Sequence, residues 1–293
     1  MKLPQNKEPH GSVFKSYEAS IIGNMAHPKQ LTKAPLIEAV FELYWTLPPA
    51  QDSKADNKIQ VGIGAGSDPN YSITIGTLYN KVKADYPYHE KLPTSQIPES
   101  IAAYIIQHRY RKAENAGPLI QIGPGLVTLN ITKGYTSHDF KSRSNQLATS
   151  FCESYPDAAS LRFSKLIMRY INSIPFDFEK DNVLDYLKEN LNLSVEIKRT
   201  IFAQSDVKDK PYGIDIRFSY PAKISETMLH FRFVRSTIEK KDTLIWEIVF
   251  ETTKTTPAAM SSSDISTWIE QAHNICEKWF FNMCDDKLIQ VFE

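Results

Sequence analysis

The chain has 293 residues, of which 42% are hydrophobic and 23% charged. That is enough apolar material for a real core, and it is far from the composition of a disordered chain. Lys+Arg and Asp+Glu are both 34, a formal net charge of zero. A chain-wide electrostatic attraction to nucleic acid or to an anionic membrane is therefore disfavoured. Three cysteines, Cys152, Cys276 and Cys284, are too few for a disulfide framework and lack paired spacing. They fit a reducing compartment. The start Met1-Lys2-Leu3-Pro4-Gln5-Asn6 has no apolar signal-like stretch. Nor is there a run of about 18 apolar residues. The expectation is a cytoplasmic protein without a membrane partner.

Residues 1–30 show no sustained period and are expected to form an N-terminal arm. After Lys33-Ala34-Pro35 a strand begins. Ile37, Ala39, Phe41, Leu43 and Trp45 share one face, and Leu36, Glu38, Val40, Glu42 and Tyr44 share the other. Pro48-Pro49 ends it, and 50–58 reads as a loop. Residues 59–75 mix β-formers with glycines, and 76–86 is expected to form a short helix. Residues 101–131 read as a β-meander. Its first strand covers 104–112, and Gly123-Pro124-Gly125 turns between its last two.

A helix is expected at 137–154, with Ser137 as N-cap and Phe140, Leu147 and Phe151 on one face. A long strand at 161–174 and a short helix at 181–190 follow. Strands are expected near 193–205, 212–220, 226–237 and 243–253. The final helix, about 264–284 with Ser263 as N-cap, has the clearest amphipathic pattern. The tail Leu288-Ile289-Gln290-Val291-Phe292 is expected to pack back on the body. The predicted class is α+β: mainly antiparallel sheets, a central helix and a long amphipathic C-terminal helix. The expected division is an arm (1–30), an N-terminal α+β half (31–178) and a C-terminal sheet-plus-helix half (179–293). No residue-level repeat marks a duplication.

Chemical signatures are sparse. The histidines show no HExxH or related ligand spacing, so no metal is expected. No Gly-x-Ser-x-Gly elbow occurs. Cys276 and Cys284 sit among large apolar residues and read as packing thiols. Gly62-Ile63-Gly64-Ala65-Gly66 lacks both a following helix and a GKS or GKT, so no phosphate site or cofactor is expected. Glu38 and Glu42 would lie roughly 13–14 Å apart on a strand, too far for a glycosidase-like pair. Cross-strand pairing with Arg162, Lys165 or Arg169 is their simpler reading. No catalytic residue emerges, and the balance leans away from an enzyme. Two sets of binding candidates remain. Gln121, Asn130, Arg169, Asn172 and His273 are candidates to line a sheet–helix cleft, the site of an enzyme or of a small-ligand binder. Arg109, Tyr110 and Arg111 could form an Arg/Tyr-rich sheet face that contacts nucleic acid.

Several short motifs occur in a distinctive order. They are Ala34-Pro35-Leu36-Ile37-Glu38-Ala39-Val40-Phe41, Tyr86-Pro87, Leu119-Ile120-Gln121-Ile122-Gly123-Pro124 and Arg169-Tyr170-Ile171-Asn172, then His273, Phe280 or Phe281, and Phe292. In these the chain, over about residues 31–293, resembles an uncharacterised and sporadically distributed bacterial and archaeal family of similar length. The resemblance carries no catalytic residues. A patchy distribution implies mobile genes, as in anti-phage defence or toxin–antitoxin systems. The expectation from the resemblance is a non-enzymatic accessory protein acting with a protein partner, such as a neighbouring gene product.

Overall fold

A computed structural model describes residues 31–47, 68–98, 101–253 and 256–293. The expectations for the arm, for the loop at 50–58 and for the glycine-rich stretch 62–66 lie outside the described residues.

The chain makes a similar pass twice. In the first, strand β1 (Leu36–Trp45) is followed by helix α1 (Tyr71–Val82) and a meander. The meander strands are β2 (Tyr88–Lys91), β3 (His108–Ala113), β4 (Ala116–Gly123) and β5 (Leu126–Ile131). β5 returns to pair with β1, and helix α2 (Ser137–Ser154) then crosses the sheet. The second pass opens with β6 (Phe163–Pro175) and continues through helices α3 (Val183–Asn190) and α4 (Thr200–Ala203). Its meander is β7 (Asp215–Pro221), β8 (Thr227–Ile238) and β9 (Lys241–Thr252). β9 pairs with β6, and helix α5 (Ser262–Met283) follows, then α6 (Asp286–Phe292). β1 and β6 pair antiparallel at the centre, with Val40 opposite Arg169. One nine-stranded antiparallel sheet results, in the order β2-β3-β4-β5-β1-β6-β9-β8-β7. The α+β class read from the sequence is the class observed.

One face of this sheet carries the core. Phe41, Leu43 and Trp45 of β1, Met168 of β6 and Trp246, Ile248 and Phe250 of β9 are all buried. Phe140, Leu147 and Phe151 of α2 and Ile265, Trp268 and Ile269 of α5 belong to the same cluster. Trp45 meets Phe151 with ring centroids 4.7 Å apart, and Trp268 lies 6.3 Å from Phe41 and 6.0 Å from Phe250. These are ordinary aromatic packing distances. The buried Asp68 carboxylate closes one end of the core, accepting from Trp45 Nε1 at 2.7 Å and from the Tyr155 hydroxyl at 3.0 Å.

Strand β2 stands where Pro87, Pro93 and Pro98 suggest a loop, and three further stretches differ from the sequence expectation. Residues 71–75 are helical, because Asp68 Oδ1 accepts the Asn70 amide at 2.9 Å in a turn that opens α1 early. Residues 104–107 are not strand. Tyr104 has φ 61, and its amide donates to the Pro124 carbonyl at 2.7 Å. The approach is close enough that a Cβ at Gly123 would stand 2.0 Å from the Ile105 carbonyl oxygen, so only glycine fits there. The stretch 193–205 forms no strand and holds only the single turn α4. Its Ile197 and Ile201 are exposed, so the local alternation finds no partner strand. The tail does pack back: Leu288, Ile289 and Phe292 are buried, and the Phe292 carbonyl accepts the Lys33 amide at 2.8 Å.

At the β2–β3 edge, His89 Nε2 and His108 Nδ1 are 3.0 Å apart. Burial, then His89 and Lys91, pushes the His108 imidazole down to about 4. Burial and Lys91 lower His89 as well. With folded values below the unfolded value near 6.5, the native state binds fewer protons than the unfolded chain between about pH 6.5 and 4. Stability is therefore full above pH 6.5 and falls as pH drops through that window. Urea unfolding at pH 7 and pH 4.5 is expected to show a loss about 1–2 kcal/mol smaller in His108→Gln than in the parent chain.

Candidate functional site

A cavity of about 280 Å³ lies on the helix-covered face, where β6, the start of β1, the first turn of α2 and one face of α5 meet. Alternation on β6 sends Tyr170 and Asn172 to the same side, toward the helices. On α5, His273, Glu277 and Phe280 fall on one stripe by i, i+4, i+7 spacing. The helix starts one or two residues earlier than expected at each site. Thr136, not Ser137, caps α2 by accepting the Asp139 amide at 3.1 Å. Ser261, not Ser263, caps α5 in a reciprocal box with Asp264. The α2 cap brings Tyr135, Thr136, Ser137 and His138 to the cavity wall. Pro35, Leu36, Ile248, Phe280 and Phe281 supply apolar lining.

The polar part is a buried relay. The Tyr170 hydroxyl lies 2.7 Å from His273 Nδ1, and the Tyr135 ring meets the Tyr170 ring edge-on with centroids 6.1 Å apart. Burial drives both phenols well above the usual range, so they stay protonated. Burial also lowers His273, with Glu277 opposing, which keeps the imidazole neutral at pH 7. The Glu277 carboxylate stands 3.8 Å from His273 Nε2 and favours the ring proton there. Nδ1 then accepts from Tyr170. Burial alone pushes the Cys276 thiol far up, so it is a wall atom and not a nucleophile.

Asn172 is the exception to this satisfied network. It is 2% exposed, and its Nδ2 has no hydrogen-bond partner among the described residues. Trp246, opposite it on β9, is wholly buried and its Nε1 likewise lacks an acceptor. Such groups are normally paired, and each one left open costs about 1–3 kcal/mol.

The sheet separates the five cleft candidates. Asn172 and His273 line the cavity. Gln121, Asn130 and Arg169 lie on the opposite face, in a cross-strand polar ladder. Arg109 Nε donates to Gln121 at 2.8 Å, Gln121 Nε2 to Asn130 at 3.1 Å, and Asn130 Nδ2 to Glu38 at 2.7 Å. Arg169 then bridges Glu42 at 3.5 Å and Glu247 at 3.6 Å. These groups are occupied with one another. The Arg109-Tyr110-Arg111 strip is divided in the same way. Both arginines pair with Glu90, while the Tyr110 ring is fully buried on the other face and donates to the Ile75 carbonyl at 2.9 Å. It is not available to stack on a base. Tyr135, Tyr170 and Glu277 were not among the sequence candidates. Tyr170 was within reach, since it stands two residues before Asn172 on one strand face. Among the described residues, no group of three or more His, Cys, Asp or Glu could hold a metal ion. No described helix is long and apolar enough to cross a membrane.

Neither a protein-family model nor a curated protein matches the chain.

Asn172→Leu keeps the number and branching of the side-chain heavy atoms and removes the open donor. It is expected to raise the unfolding free energy of the empty protein by about 1–2 kcal/mol in urea titration.

Proposed function

We propose that the protein binds a small organic molecule in this cavity. The observation that carries the reading is the unpartnered, buried Nδ2 of Asn172 in an otherwise mostly apolar cavity. Ligand sites have this character: largely apolar walls with a few polar groups that fix orientation. The volume of about 280 Å³ sits near the small end of their usual range, about 300–1,000 Å³. Binding is the chemistry these groups offer. His273 is committed to Tyr170, the phenols are protonated, and the only thiol on the wall is held neutral.

A second reading, an accessory role beside a protein partner, is favoured by a different feature. Ile197, Ile201, Val207 and Tyr212 are exposed by 49–71% between α3 and β7. β7 is also a sheet edge, able to accept a further strand. Apolar side chains exposed together often mark a partner surface.

Native mass spectrometry of the protein from its own host tests both readings. The expected spectrum carries a small-molecule mass that leaves on denaturation and is missing in Leu36→Trp, which fills the space beside Leu36. An identical spectrum for the two proteins would contradict the first reading. A protein adduct of one-to-one stoichiometry, lost in Ile201→Glu, would support the second.

A further inference from the structure

We propose that the cavity's ligand is a monocarboxylate with an apolar body, a small fatty or aromatic acid. The inference rests on the small-molecule reading above and names its ligand class.

The polar end of the cavity is rich in donors. α2 is 18 residues long, and its N-terminal turn forms part of the wall. Thr136 satisfies two of the first amides, its hydroxyl taking Asp139 and its carbonyl taking Phe140. The amides of Ser137 and His138, at the first two positions of the helix, precede any intrahelical acceptor. The positive end of the helix dipole lies at the same place and favours negative charge. Independently, Asn172 lines the cavity with a buried Nδ2 that has no partner among the described residues. An occupant that supplies acceptor oxygens answers both observations. A carboxylate does so with two oxygens and one charge.

Glu277 sets the upper limit on that charge. Its carboxylate lines the cavity, is 44% exposed, and stands 3.8 Å from His273 Nε2. A nearby cation, Lys141, is taken by Glu270 at 2.9 Å. A phosphate ester would bring about −1.5 to −2 charges beside Glu277, while a carboxylate brings one. The remaining lining fits an apolar body: Pro35, Leu36, Ile248, Phe280 and Phe281. At about 280 Å³ the space is nearly twice the roughly 150 Å³ cavity that holds benzene. An acid of the size of octanoate or 3-phenylpropanoate suits it.

The test is calorimetric titration at pH 7.5 with four probes of one chain length: octanoate, octanamide, octyl phosphate and octylamine. Octanoate is expected to bind at least tenfold more tightly than each of the others, and at least tenfold more weakly to Asn172→Leu, a variant expected to fold. Octanamide or octylamine binding as well as octanoate, and blocked by Leu36→Trp, would overturn the carboxylate while leaving the cavity as a ligand site. Octyl phosphate binding as well or better would overturn the limit of one charge. No binding by any probe, with a retained small molecule in the native spectrum, would overturn the ligand class alone. No binding and no retained molecule would overturn both readings.

Discussion

The sheet has two faces, and the long helices cover only one of them. This single constraint decides where polar groups end up. On the covered face α2 and α5 press on Phe41, Trp246 and Phe250, and polar side chains there must find a buried partner or stay unpaired. On the other face, solvent is near and the long side chains pair with their neighbours across strands. The ladder from Glu90 through Arg109, Gln121 and Asn130 to Glu38, and the cluster of Glu42, Arg169 and Glu247, are that second solution. These groups are partly buried, and Glu42 and Asn130 are buried outright. Their pairing satisfies groups that half-bury one another across the strands. The sum of opposite charges within the ladder also explains why its arginines do not make a basic surface.

The cavity arises where this regular arrangement is interrupted. The register of β1 against β6 slips between Leu36 and Glu38. Irregularities of this kind near strand ends re-aim side chains and are common beside functional sites. Ile37 consequently departs from the buried set and is 38% exposed. The start of β1 is pinned at the same point by the C-terminal helix, through the Lys33–Phe292 hydrogen bond and a contact of the Thr32 hydroxyl with the Glu293 carbonyl. The first turn of α2 then faces the stripe of α5 across the gap, and the Tyr170–His273 hydrogen bond, with Tyr135 packed edge-on against Tyr170, fills its polar corner. The Nδ2 of Asn172, on the sheet below, is left without a partner among the described residues.

Much of the fold was legible because the periods were strong. The alternation of β1 and the amphipathic stripe of α5 both have local signals that agree with the tertiary packing. The exceptions share a cause. Residues 193–205 alternate as a strand would, yet Ile197 stays exposed, because pairing depends on a neighbour strand that local sequence does not reveal. Residues 71–75 carry β-formers, but the Asp68 turn starts a helix. The site was half legible. Asn172 and His273, named as candidates for a sheet–helix cleft, both line the cavity. Gln121, Asn130 and Arg169 had the same local appearance and lie on the opposite face. Only the sheet's sidedness, which puts Asn172 in phase with Tyr170 and Arg169 out of phase, distinguishes them.

The most direct measurement is the side-chain amide of Asn172 itself. In protein labelled with ¹⁵N at asparagine, its NH₂ pair is assigned by its disappearance in Asn172→Leu and followed during titration with octanoate. A saturable downfield shift of that pair, larger than for any other asparagine, is the predicted result. An Asn172 pair that stays fixed while octanoate saturates the protein would contradict the account, since the ligand would then be held elsewhere.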